Sequence, residues 1–130
     1  MAKSKTPTVQ RLIKYLNRFD KGERALLPIK TADRIITVKY RDLVKIEVQS
    51  TRLTFYTTNE VIETTGRLYK VLAGLNNDFV QVSRHAVINI NYLQSIEEGF
   101  AGNMVAVLEG RLKTDVSRRY LPLLEKELGL

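Results

Sequence analysis

Apolar positions along this chain follow two periods. Over residues 6–22 they recur at helical spacing, with Val9, Leu12, Ile13, Leu16 and Phe19 on one face and Arg11, Lys14, Arg18 and Lys21 on the other. Thr6 suits an N-cap, Pro7 the first helical position and Gly22 the stop, so an amphipathic helix is predicted there. From Arg24 onward the period changes. Residues 25–29, 35–39, 43–49 and 53–57 are rich in Ile, Val, Thr and Tyr and are broken by polar turns, which predicts strands.

A short helix is expected next, capped by Thr64 or Thr65, with Leu68, Val71, Leu72 and Leu75 as its buried stripe and Asn76-Asn77 as its end. Two apolar β-branched segments follow, 79–82 and 86–90, around the polar corner Ser83-Arg84-His85. Further strands are expected at 93–97, 104–108 and 112–116, the last two joined by a tight hairpin at Glu109-Gly110, where glycine accepts a positive φ. A closing helix has Ser117 as its natural N-cap, Pro122 in its first turn and Leu121, Leu124 and Leu128 as its apolar stripe.

Composition narrows the chemistry. With 130 residues, 44% of them apolar, the chain is long enough for one domain with a real core. Zero cysteines remove disulfides, thiolate catalysis and Cys-ligated zinc, and a single histidine leaves out most acid–base and His-rich metal designs. The acidic pairs Glu97-Glu98 and Glu125/Glu127 have no histidine or ligand spacing beside them, and no phosphate-binding glycine motif occurs. The sequence therefore points away from an enzyme, and it implies neither a cofactor nor a metal. No apolar run approaches the roughly eighteen residues of a membrane span, and Met-Ala-Lys-Ser-Lys lacks the apolar middle of a signal peptide, so a cytoplasmic location is expected.

The net charge of +7 suits a polyanionic partner. Its distribution is uneven: through Arg24 there are seven Lys/Arg against two Asp/Glu, and the remainder holds fourteen against twelve. The chain thus divides into a basic N-terminal helix or arm, 1–24, and a body, 25–130, that would need its arginines clustered on one face to hold a duplex. The helix is open to three readings: packed on the body with a solvated basic face, tracking phosphates, or contacting a second copy. Ser83-Arg84-His85 reads equally as a solvated turn or as a site. Arg118 and Arg119 stand where a helix dipole already disfavours cations, which fits an anion nearby, and they read equally as solvated side chains or as partners of Glu97, Glu98 or Asp115.

Taken together, the order of elements resembles a known family. A strand ending Ile46-Glu47-Val48, a polar loop, a strand and a short helix lead to Phe79-x-x-Val82-x-Arg84-x-x-x-Ile88-Asn89, and then to Val116-Ser117-Arg118-Arg119-Tyr120. This looks like the LytTR DNA-binding domain, over roughly residues 30 to 129. The resemblance implies a mostly β fold with short α-helices, an elongated set of several small antiparallel sheets whose loops enter the grooves of duplex DNA. Carried over by position, it implies DNA contacts from Thr51 and Arg52, from Ser83, Arg84 and His85, and from Arg118 and Arg119. A planar guanidinium can bond both acceptors of a guanine edge or clamp a phosphate, and hydroxyls serve either role.

The match departs from the commoner pattern at Gln81, Ser83 and Ala86, where many members carry Arg, His and an aromatic residue. The N-terminal piece is too short for a receiver domain, so the chain is similar to stand-alone members. Some of those members are held inactive by a membrane protein, so the similarity implies an inhibitory membrane-protein partner; on DNA, a homodimer on repeated half-sites is expected. Two functional readings remain: a sequence-specific regulator of transcription binding duplex DNA, and a small basic β module that binds RNA or a protein mainly through its N-terminal helix.

Overall fold

The computed structural model describes residues 26–130. The helix expected over 6–22 and the first residue of the strand expected at 25–29 lie outside the described residues. Among the described residues ten strands form three sheets, accompanied by two short α-helices. Strands β1 (Leu26–Lys30) and β2 (Ile35–Lys39) make a hairpin. A five-stranded sheet comprises β3 (Leu43–Gln49), β4 (Arg52–Thr57), β5 (Val61–Thr65), β6 (Phe79–Ser83) and β7 (Ala86–Asn89), in the order β5-β4-β3-β7-β6. Strands β8 (Leu93–Glu98), β9 (Met104–Leu108) and β10 (Leu112–Val116) form a three-stranded sheet. Helix α1 (Leu68–Ala73) links β5 to β6, and α2 (Leu121–Glu127) follows β10. Every strand pair is antiparallel. The fold is therefore mostly β in several antiparallel sheets, as the resemblance implied.

The five-stranded sheet sits in the middle because its central strands are apolar on both faces. Along β7, Val87 faces one core while Ala86 and Ile88 face the other, as the two-residue period requires. The first core packs Ile46, Phe55 and Val87 under Ile29 and Val38 of the hairpin and Leu68 of α1. The second packs Val44, Val82 and Ile88 under Ala106, Leu108 and Leu124. Fully buried side chains such as Leu43, Ile46, Ile88 and Leu124 each contribute about 1.5–3 kcal/mol from apolar burial.

Four local expectations are corrected. Residues 61–65 form an edge strand where none is expected from the sequence; Val61 and Ile62 are adjacent, only Ile62 is buried, and so no apolar alternation marks the segment. Neither threonine caps α1. Thr65 pairs with Arg52 in the β4–β5 ladder and the Thr64 hydroxyl donates to the Lys30 carbonyl at 2.6 Å, while the cap position falls to Arg67, which makes no side-chain cap bond. The helix ends at Ala73 with Gly74 as its C-cap, before the Asn pair. Ser117 does not cap α2 either. The cap is Tyr120, and the backbone carbonyl of Ser117 accepts from the amides of Tyr120 and Leu121, both at 3.0 Å. Pro122 does stand in the first turn. In the β9–β10 hairpin Gly110 has the expected positive φ of 80°, and Arg111 joins it at 64°.

Candidate nucleic-acid interface

Strand register determines where the three corners go. Because β3 runs antiparallel to both β4 and β7, with Glu47 opposite Ala86, the β3–β4 turn and the β6–β7 turn emerge at the same end of the sheet. A backbone bond from the Val48 amide to the His85 carbonyl, 2.8 Å, ties the two turns together. A second, from the Ser117 amide to the Val82 carbonyl at 2.9 Å, brings the segment carrying Arg118 and Arg119 to the end of β6. The seven residues singled out from the sequence thus lie at one end of the fold, Thr51, Arg84, His85, Arg118 and Arg119 on connections and Arg52 and Ser83 at the strand ends that flank them.

Each corner is shaped by its own sequence. In the first, Ser50 takes a φ of 59° as the leading residue of a two-residue hairpin loop, and the Thr51 carbonyl accepts from the Gly66 amide at 2.8 Å. In the second, the β6–β7 pairing slips by one residue between Gln81 and Ser83. The Gln81 side-chain amide donates to the Ser83 carbonyl at 3.0 Å, and the Ser83 hydroxyl accepts from the His85 amide at 3.1 Å. Such a bulge bends its strand and re-aims the side chains beside it. Arg84 and His85 both point into solvent there. His85 contributes its carbonyl to the scaffold, while its ring is left exposed.

The electrostatics separate the arginines. Arg52 donates to Glu63 at 2.6 Å across the β4–β5 ladder, with both side chains more than half exposed. Arg84, Arg118 and Arg119 are exposed, and none pairs with a carboxylate among the described residues. The alternative pairing of Arg118 and Arg119 with Glu97, Glu98 or Asp115 is not formed. Beside the corners a cleft of about 790 Å³ opens between the two larger sheets, lined by Glu47, Ser50, Ser83, His85, Lys113 and Asp115 among others. Tyr56 borders it as well, and its phenol is pushed above the ordinary value of 10.0, first by burial and then by the Glu47 carboxylate. Among the described residues no cluster of His, Asp or Glu is arranged to hold a metal ion, and no helix is long and apolar enough to cross a membrane.

Residues 33–129 match the family model described as the LytTr DNA-binding domain. The chain belongs to the LytTR family. This is a family of DNA-binding domains and not of enzymes. The sensory transduction protein LytR of Staphylococcus epidermidis is 31% identical over the whole of this chain, which spans 54% of that relative. LytT of Enterococcus faecalis is 28% identical over 88% of the chain and 48% of its own length. The chain thus spans about half the length of these relatives. An uncharacterized HTH-type transcriptional regulator of Staphylococcus aureus is closer in size, 26% identical over 94% of this chain and 82% of itself. Among solved structures, a LytTr DNA-binding domain from Bacillus cereus superposes with a TM-score of 0.71 at 18% identity, covering 82% of this chain and 99% of the other. That likeness supports the LytTR fold.

One connection at this end went unremarked in the sequence. The β8–β9 link, residues 99–103, lies beside the Arg118 corner, since Met104 at the start of β9 pairs with Val116 at the end of β10. A Cβ placed on Gly102 would stand 4.0 Å from the Arg118 guanidinium. The available signal was two glycines, at 99 and 102, around a lone phenylalanine.

Proposed function

We propose that this protein is a transcription regulator that binds specific duplex DNA through three loops of a β scaffold, in the cytoplasm, as a homodimer on repeated half-sites. Arg84, Arg118 and Arg119 supply guanidinium groups for guanine edges or phosphates, with Thr51, Arg52, Ser83 and His85 beside them. The observation that carries this reading is the convergence of the three corners at one end of the fold, held by the Val48–His85 and Ser117–Val82 backbone bonds. Unpaired exposed arginines on short, tied loops cost little reordering when they meet a phosphate or a base. The family membership supplies the polyanion.

Selection of bound duplexes from a random pool tests the reading directly. A repeated consensus, bound by two copies of the chain, is expected; recovery of no preferred duplex would overturn it. Arg84→Ala and Arg119→Ala are each expected to cost about 1–3 kcal/mol on the selected duplex while leaving the fold intact. The division into a basic arm, 1–24, and a DNA-binding body, 25–130, predicts that removing residues 1–24 leaves the selected consensus unchanged. The inhibitory membrane partner implied by family resemblance predicts co-purification of the chain with a membrane protein from its own cells, and loss of DNA binding in that complex.

A further inference from the structure

The β8–β9 connection holds the most exposed large apolar side chain of the described residues: Phe100 is 92% exposed. The loop around it is a closed turn. The Gly99 amide donates to the Asn103 carbonyl, and the Asn103 amide to the Phe100 carbonyl at 3.2 Å. Ala101 and Gly102 follow one another in the left-handed region, at φ 59° and 80°. At position 99 a Cβ would come within 2.6 Å of the Val105 Cγ2 methyl, so any larger residue there would force Val105 to shift. Nothing in the core receives the ring, and its burial free energy is left for a partner.

Position assigns that partner. The loop continues the surface formed by the arginine corners, with Gly102 against the Arg118 guanidinium and Arg119 next along the chain. An apolar tip flanked by unpaired cations suits a groove of DNA, where phosphates meet the cations and a thymine methyl or deoxyribose meets the ring. We propose that residues 99–103 form a fourth DNA-contacting loop in which Phe100 makes an apolar contact inside a groove. The proposal rests on the DNA-binding reading above and extends it to a residue that carries no charge and no hydrogen-bonding group.

Fluorescence anisotropy on the selected duplex tests it, with Phe100→Ala, Phe100→Leu, Arg84→Ala and Arg119→Ala measured in one series across salt concentrations. Phe100→Ala is expected to weaken binding about tenfold. Phe100→Leu should retain most of the affinity, and the thermal midpoint of both variants should match wild type, since the ring is already in water. The salt dependence of Phe100→Ala should keep the wild-type slope, because no phosphate contact is lost. Wild-type affinity in Phe100→Ala, alongside weakened arginine variants, would overturn the fourth loop and leave the three-loop reading standing. A loss of self-association by the free protein with unchanged duplex affinity would also overturn it, assigning Phe100 to contact between copies. If the wild type prefers no duplex, the three-loop reading falls and this proposal falls with it.

Discussion

The ammonium of Lys45, on the central strand of the five-stranded sheet, donates to the backbone carbonyl of Lys113 on β10 at 2.8 Å. The same ammonium donates to Glu47 at 2.7 Å and stands 4.5 Å from the centre of the Tyr56 ring, with the residue only 5% exposed. One side chain thereby clips the middle sheet to the strand that leads directly into Ser117, Arg118 and Arg119. Its partners offset the cost of burying the charge.

Lys45→Met keeps the stem against Tyr56 and removes the charge, so it isolates the clip. A loss of about 1–3 kcal/mol in urea denaturation is expected, because the Lys113 carbonyl and the Glu47 carboxylate lose their donor. Glu47, a third exposed, can recover some hydration, which keeps the cost below that of a sealed ion pair. Unchanged stability would show that the two sheets are held by apolar packing alone.

Asn89 ends the Phe-x-x-Val-x-Arg-x-x-x-Ile-Asn pattern, and the structure gives it a role in the scaffold. It is 1% exposed; its amide nitrogen donates to the Leu43 carbonyl at 2.9 Å and its oxygen accepts from the Asn91 backbone at 3.0 Å. The first bond serves the place where β3 slips register against β4, between Leu43 and Lys45. Asn89→Ala is expected to destabilise the fold by about 2–4 kcal/mol, from the orphaned carbonyl and the cavity together. Asn89→Asp should cost at least as much, since it keeps the acceptor, loses the donor and buries a carboxylate. Chemical denaturation of both variants checks the order.

Elements with a strong apolar period were legible in the sequence. Strands β2, β3, β9 and β10 fall at the expected residues, because each is a short run carrying Ile, Val or Leu into a core, β2 and β10 on one face and β3 on both. Legibility failed where a partner decides. Thr64 has the chemistry of a cap, yet the Lys30 carbonyl 34 residues away claims its hydroxyl, and the helix starts later. Register slips at Leu43 and Gln81 follow from cross-strand packing and leave no composition mark. At the candidate site the corners could be named from the motif, but their convergence depends on β3 lying between β4 and β7. Phe100 was unremarkable as a letter and becomes conspicuous only when its exposure is known.

Alkaline pH should expose a different weakness. Burial raises the phenols of Tyr40, Tyr56 and Tyr92 above their ordinary value of 10.0, with nearby carboxylates adding to the effect at Tyr56 and Tyr92. A raised folded-state pKa means that the unfolded chain releases these protons first. The contribution to stability is therefore complete below about pH 10 and is lost as pH rises through the native values. Denaturation midpoints should be flat up to about pH 9 and fall above it, and Tyr40→Phe should reduce that slope. Ultraviolet titration of the native protein should show phenolate forming later than in the unfolded chain. A native titration matching the unfolded one would contradict the burial account.

Arg52 differs from the other arginines at this end because Glu63 already holds it at 2.6 Å. The pair is exposed, 67% on the Arg52 side and 53% on the Glu63 side, so it contributes only about 0.2–1 kcal/mol to stability. Toward DNA its effect runs the other way, since the carboxylate competes with phosphate for the guanidinium and adds a negative charge to the approach. Glu63→Gln is therefore expected to leave the thermal midpoint nearly unchanged and to tighten duplex binding a few-fold, with the gain shrinking as salt is raised. For the same reason Arg52→Ala should lose less affinity than Arg84→Ala, whose guanidinium has no carboxylate partner among the described residues to give up. Gel shifts on the selected duplex read both comparisons. Weaker binding by Glu63→Gln would mean that the ion pair positions Arg52 for DNA and does not restrain it.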